Sequence, residues 1–173
     1  FEAISKIGID EFPPLSTEAK SEIKSWYVGV SYDDIHKIKE IEKKINHDVK
    51  SVEYFLKNKA KESTCVDLRN SAEFFHFCCT SEDINNLSHS MMLLDARENY
   101  LLPLFAKLIA QLAKIISETS EDAMLSRTHG QPASPTSLGK EFYVFVERLE
   151  IQLKQLQSVP HSAKFGGATG NFN

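Results

Sequence analysis

Apolar residues recur at steps of three and four through most of the chain, with polar residues filling the positions between them. That period puts the apolar side chains on one stripe of an α-helix. One stripe comprises Ile35, Ile38, Ile41, Ile45, Val49, Val52 and Phe55, and Lys37, Lys39, Glu40, Glu42 and Lys43 cover its other faces. Ser31 to Asp34 reads as its start, with acid in the first turn. Ahead of it, Ser16 or Thr17 can cap a helix reaching about Val28, because a side-chain oxygen accepts an otherwise unpaired amide. A short helix is predicted over 72–77. The longest stripe runs from about Ser81 to Ser117 through Ile84, Leu87, Met91, Leu94, Leu101, Leu104, Leu108, Leu112 and Ile115. Pro103 lies inside it and predicts a kink or break, since proline lacks an amide donor and clashes with the preceding turn. A last helix, from about Thr136 to Gln157, turns Leu138, Phe142, Phe145, Leu149, Leu153 and Leu156 inward. No alternating run competes for strand. Residues 121–136, with Gly130, Pro132 and Pro135, therefore read as a polar connection. Residues 1–15 read as irregular and 164–171 as a glycine-rich turn.

The pattern predicts an all-α fold: an amino-terminal helical domain over 1–80, then the first long helices of a central helical bundle over 81–173. Two long amphipathic helices joined by a loop cannot bury both apolar faces alone. The stripes predict a bundle completed by more chain or by other subunits.

Composition narrows the function classes. Among 173 residues, 20 are Lys or Arg and 24 are Asp or Glu, a net charge of −4. Such a balance exerts no long-range pull toward nucleic acid or anionic lipid. No apolar run approaches the ~20 residues that span a bilayer, so no membrane is expected. No signal-peptide pattern is present. Cys65, Cys78 and Cys79 are odd in number, with one adjacent pair, and lack zinc-ligand spacing. They read as reduced thiols of a cytoplasmic protein, with no metal site.

Three polar clusters interrupt the stripes. Asn46-His47-Asp48 falls within the isoleucine-striped segment. It reads either as a break between two helices capped by Asp48 or as a set of ligand-binding groups. Thr80-Ser81-Glu82-Asp83-Ile84-Asn85-Asn86, with His76 four residues ahead, makes a good helix start. Its free amides and hydroxyls equally suit a carboxylate or phosphate. Ser126-Arg127-Thr128-His129-Gly130-Gln131-Pro132-Ala133 holds either a solvated loop histidine or an acid–base group, its imidazole titrating nearest neutrality.

The stretches NHDVKSVEYFLK, FFHFCCTSEDINNLSHSMML and LSRTHGQPASPTSLGKE closely resemble adenylosuccinate lyases, within the wider superfamily of fumarate-releasing lyases. The resemblance covers about 31–173. It implies a cofactor-free β-elimination that splits adenylosuccinate into AMP and fumarate, and likewise splits the succinylated aminoimidazole carboxamide ribotide of purine synthesis. It implies that His129 is the general acid and that Thr128 contacts substrate. Thr80 and Ser81 match the pair binding a succinyl carboxylate. Asn46, His47 and Asp48 match a substrate-binding triplet, and His76 a histidine found in some members. Lys140 and the GGATGNFN tail resemble segments near the site, without an assigned role.

The same resemblance implies a homotetramer whose active sites are shared between subunits. It places the catalytic serine loop, of GSSxMPxKxNP type, beyond Asn173, so the chain alone is expected to be inactive. Two rivals stand beside it. Another fumarate-releasing lyase, such as argininosuccinate lyase, is opposed by TSEDINNLSH and NHDV. A non-catalytic helical assembly module is opposed by the joint presence of His129, Thr80 and Ser81.

Overall fold

The computed structural model describes residues 1–172; Asn173, the end of the glycine-rich tail, lies outside the described residues. The described chain is mostly helical and divides into two compact units. One comprises residues 1–87 with 163–172, and the other 88–162.

In the first unit, α1 (Thr17–Val28) begins at Ser16, whose hydroxyl accepts the Ala19 amide at 3.2 Å. α2 (Tyr32–Ile45) begins with a reciprocal capping box: Ser31 Oγ accepts the Asp34 amide, and Asp34 accepts the Ser31 amide. α3 (Asp48–Glu62) follows after a break, and α4 (Val66–Asn70) is a short helix. Where one helix was predicted over 72–77, there is a single 3₁₀ turn, Ala72–Phe74. The reason is local: His76, at φ 70°, leaves the right-handed region and stops any helix there.

The core of this unit gathers Phe12, Leu15, Ala19, Trp26, Ala60, Cys65, Leu68, Ala72 and Phe75. Residues 1–15, expected to be irregular, hold one 3₁₀ turn, Ile4–Lys6, and an isolated bridge between Ile9 and Phe12, and supply much of it. Phe1 stacks on Phe75 with centroids 4.1 Å apart, and Phe12 on Phe74 at 4.5 Å. Aromatic pairs of this kind contribute beyond their buried area.

The long stripe forms α5 (Ser81–Ala96), a π-helical turn (Arg97–Leu101) and α6 (Leu102–Thr119). Pro103 does not break it. The helix widens one turn ahead of the proline, and the Leu102 amide reaches back five residues to the Arg97 carbonyl. This wider turn absorbs the missing amide donor, as π-bulges do. Arg97 also donates to the carbonyls of Leu156 at 3.2 Å and Val159 at 2.7 Å, satisfying the end of α7 (Leu138–Ser158).

Two further expectations are overturned. The polar connection 121–136 is largely an antiparallel hairpin, β1 (Ala123–Thr128) with β2 (Gln131–Ser137). Its residues are mostly exposed, so no apolar alternation announced it. Its prolines, Pro132 and Pro135, are tolerated because both strands of a two-stranded ribbon are edges. The second correction concerns apolar length. Among the described residues one helix, Ser81–Thr119, is long and apolar enough to cross a membrane, with mean hydropathy 1.4 over its best window. Lys107 and Lys114, seven residues apart, mark one side of that window as polar, the pattern of an amphipathic helix.

α6 and α7 pack closely because of Gly139. A Cβ there would lie 2.8 Å from the Ile116 carbonyl oxygen and 2.8 Å from Ser120 Cα.

Candidate active site

The Asn46-His47-Asp48 cluster is the joint between α2 and α3. Asn46 adopts the left-handed conformation at φ 54°, and its amide closes α2 on the Glu42 carbonyl at 2.7 Å. Asparagine tolerates this region better than most residues. The cap of α3 is His47, not Asp48 as the capping reading had it: His47 Nδ1 accepts the Lys50 amide at 3.3 Å. With Nδ1 accepting, the neutral ring carries its proton on Nε2, which lies 3.4 Å from Ser81 Oγ. Asp48 sits in the first turn, where Oδ1 accepts the Val49 amide at 2.7 Å and Oδ2 faces Asn85 Nδ2 at 3.3 Å. The Val49 amide is the chief reason the Asp48 carboxyl titrates below its ordinary value. Two clusters from separate stretches of sequence thus meet at His47–Ser81 and Asp48–Asn85.

The start of α5 is organised by Asp83. Its Oδ2 accepts the Thr80 amide at 3.0 Å. Its side chain is fully buried, and Lys164 Nζ lies 2.9 Å from Oδ1. The amides of Gly166 and Gly167 also donate to it, at 3.0 and 3.2 Å. The Thr80 amide first, then Gly166, hold this carboxyl well below the usual carboxylate range.

Beside this start lies a cavity of about 700 Å³. Its polar wall includes Lys50, His76, Thr80 and Ser81; Phe165 and Phe172 form an apolar side, and Cys78, Cys79 and Gly167 complete the lining. Lys50 projects from α3, and its ammonium is held by buried Glu53 at 2.7 Å. All three cysteines are free thiols, and burial pushes the Cys79 thiol up. A mixed wall of hydroxyls, imidazole and ammonium around an apolar face suits an anionic organic molecule.

Thr128 and His129 belong to the second unit. Thr128 pairs with Gln131 across the hairpin end. His129 and Gly130 form the two-residue turn, both with positive φ (50° and 74°), as primed hairpin turns require. The ring of His129 is thereby carried at an exposed tip. The hairpin joins α7 directly. At its base the Leu138 amide donates to Asp122 O at 2.9 Å, and Ser137 caps α7 by accepting the Lys140 amide at 3.3 Å. Lys140 Nζ pairs with Glu141 at 3.1 Å.

Sequence reading gave no site role to Lys50 or Lys164, and named Asp83 and Asn86 only as members of the Thr80–Asn86 helix-start cluster. Lys50 had a legible signal, since it stands one helical turn after His47. The docking of the tail had none beyond the resemblance of GGATGNFN, because its partners are about 80 positions away.

The sequence model of the family described as "Lyase" matches residues 14–173. An adenylosuccinate lyase of Haemophilus influenzae is 48% identical over 98% of this chain. That of Escherichia coli K12 is 44% identical over 96%, and that of Dictyostelium discoideum 43% over the whole chain. The chain spans only 37%, 36% and 38% of those relatives' lengths. In structure it resembles a fumarate lyase from Mesorhizobium sp. BNC1 with TM-score 0.68 at 17% identity, covering 91% of this chain and 36% of that one. A β-carboxy-cis,cis-muconate cycloisomerase from Acinetobacter calcoaceticus sp. ADP1 gives 0.61 at 17% identity, with the same coverage. These two show the fold, and the sequence matches show the membership: the chain belongs to the lyase family, and within it the chain is similar in sequence to the adenylosuccinate lyases.

Proposed function

We propose that this chain is part of an adenylosuccinate lyase, which releases fumarate by β-elimination from adenylosuccinate and from the succinylated aminoimidazole carboxamide ribotide in purine nucleotide synthesis. The observation that carries the reading is the meeting of two motif clusters, one of which lines a cavity. His47 and Ser81, 34 positions apart, lie 3.4 Å from each other, and Thr80 and Ser81 line the cavity with His76.

In this reading Thr80 and Ser81 donate to one succinyl carboxylate, aided by the positive end of α5. A base removes the proton beside the carboxylate, so negative charge builds on it in the transition state. Donors fixed in advance stabilise that charge at little reorganisation cost. Asn46, His47 and Asp48 orient the rest of the substrate, with His76 at the cavity edge. His129, with Thr128 beside it contacting substrate, donates the proton to the leaving nitrogen. No residue of this chain is assigned as the base. The elimination uses no cofactor or metal.

A homotetramer with shared sites goes with this reading. Exposed Leu87, Met91, Leu94, Leu101, Leu104 and Leu108 support it, since a face this apolar needs cover. The compartment it implies is the cytoplasm. The division into domains 1–80 and 81–173 is retained as the organisation of the parent protein.

The test is turnover of adenylosuccinate by the full-length protein containing this chain, with AMP separated by chromatography. Release of AMP is expected, and His129→Ala should lower it by ~10²–10⁴-fold with folding unchanged. Near-normal turnover in that variant would end the assignment of the acid. No AMP from folded wild-type protein would point to another fumarate-forming substrate.

A further inference from the structure

We propose that Asp83 is a positioning residue: its buried carboxylate docks the 164–167 turn onto the start of α5 and so builds the cavity wall that adjoins Thr80 and Ser81. The consequence for catalysis rests on the lyase reading above, whereas the docking does not.

Both carboxylate oxygens are fully used. Oδ1 takes Lys164 Nζ at 2.9 Å and the Gly166 amide at 3.0 Å. Oδ2 takes the Thr80 amide at 3.0 Å and the Gly167 amide at 3.2 Å. Capping α5 requires only the Thr80 bond; the other three fasten a segment more than 80 positions away. Asn86, one turn further along α5, grips the same segment. It donates to the Lys164 carbonyl at 3.1 Å and accepts the Lys164 amide at 2.7 Å. Lys164 Nζ also donates to the Gly167 carbonyl at 2.6 Å, closing the turn on itself. Gly167, at φ 75°, takes a conformation that side chains resist.

The glycine-rich stretch has the look of an anion-binding loop, with successive amides turned toward one point. Its leading amides are already occupied, and the anion they bind is the protein's own. Their function is therefore placement. Phe165 and Gly167 line the cavity with Thr80 and Ser81, and Asp83 and Asn86 connect those two sides. A buried carboxylate with four donors cannot be replaced by an amide without turning an NH₂ group toward other donors.

The experiment compares wild-type full-length protein with Asp83→Asn. It measures amide exchange at Gly166 and Gly167, melting, assembly, and kcat and KM for adenylosuccinate well below the melting range. Asp83→Asn should speed exchange at both amides and lower kcat/KM, each by about tenfold or more, with most of the catalytic loss in KM. A merely structural role would lower the melting point and leave kcat/KM of the folded enzyme untouched; that result overturns the proposal, as does unchanged exchange. If Asp83→Asn does not fold, Asn86→Ala carries the same measurements with an expected effect of about threefold. No change in its exchange or kcat/KM counts equally against the proposal. Wild-type protein that releases no AMP refutes adenylosuccinate as the substrate, while the exchange result still decides the docking.

Discussion

Gly139→Ala puts the packing of α6 and α7 to a severe test. The added methyl carbon would sit 2.8 Å from the Ile116 carbonyl oxygen, 2.8 Å from Ser120 Cα and 2.9 Å from Ser120 N. All three are backbone atoms, so no side chain can swing aside. The start of α7 must move away from α6 by several tenths of an ångström or more. Overpacking of this kind costs about 1–3 kcal/mol. Alanine recovers part of that through helix propensity, at most ~1 kcal/mol in a helix interior and less in a first turn. The net expectation is a loss of about 1–2 kcal/mol, or a melting point lower by about 2–8 °C on the scale of domains this size. The shift also disturbs the Leu138–Asp122 bond at the base of the hairpin that carries His129. Turnover should therefore fall with stability. The assay is thermal unfolding of the full-length protein followed by circular dichroism, with exposed Lys154→Ala as the control, expected within ±0.5 kcal/mol of wild type. A melting point equal to or above wild type would show that α7 starts without close contact to α6 and would refute the argument.

Glu73 should shape acid stability. Lys57, then Lys61, hold its carboxyl at about 2, against an ordinary 4.5. Its contribution is complete above pH 4.5 and disappears as pH falls toward 2. Glu73→Gln should therefore be less stable than wild type near pH 6, and the two should converge near pH 2. Urea midpoints across that range check this, and a constant difference would contradict it. The isolated 173-residue chain should release no fumarate from adenylosuccinate, because no residue in it is assigned as the base. Fumarate detected from pure chain, free of full-length enzyme, would overturn this.

The helices were legible because burying one face imposes a period that composition cannot hide. α1, α2 and α7 begin within two residues of the expected positions. The hairpin was illegible because it buries almost nothing and so carries no period. The π turn was half legible: Pro103 announced a disturbance, but a widened turn and a break remove the same clash. Residues 1–15 build core through single turns, and Phe1, Phe12 and Leu15 follow no repeat. The candidate site follows the same logic. Its clusters were visible as polar interruptions of apolar stripes. Their meeting was invisible, because His47 and Ser81 are joined by tertiary packing rather than by spacing along one helix.

Backbone conformation gives an independent reason to look at these joints. The described non-glycine residues with positive φ are Asn46, His76, Cys78, His129 and Phe172. Three are candidate site residues, and the other two line the cavity. A left-handed residue other than glycine costs about 1–2 kcal/mol, less for Asn. Glycine would remove that cost, and the chain uses glycine with positive φ at Gly8, Gly130, Gly167 and Gly170. Phenylalanine and histidine in such positions are therefore poor choices for folding alone. Strain concentrated where groups converge is the usual mark of a side chain needed for contact with a ligand. Positive φ singles out His76, Cys78 and Phe172 without reference to any motif, and His76 is also implied by the family resemblance.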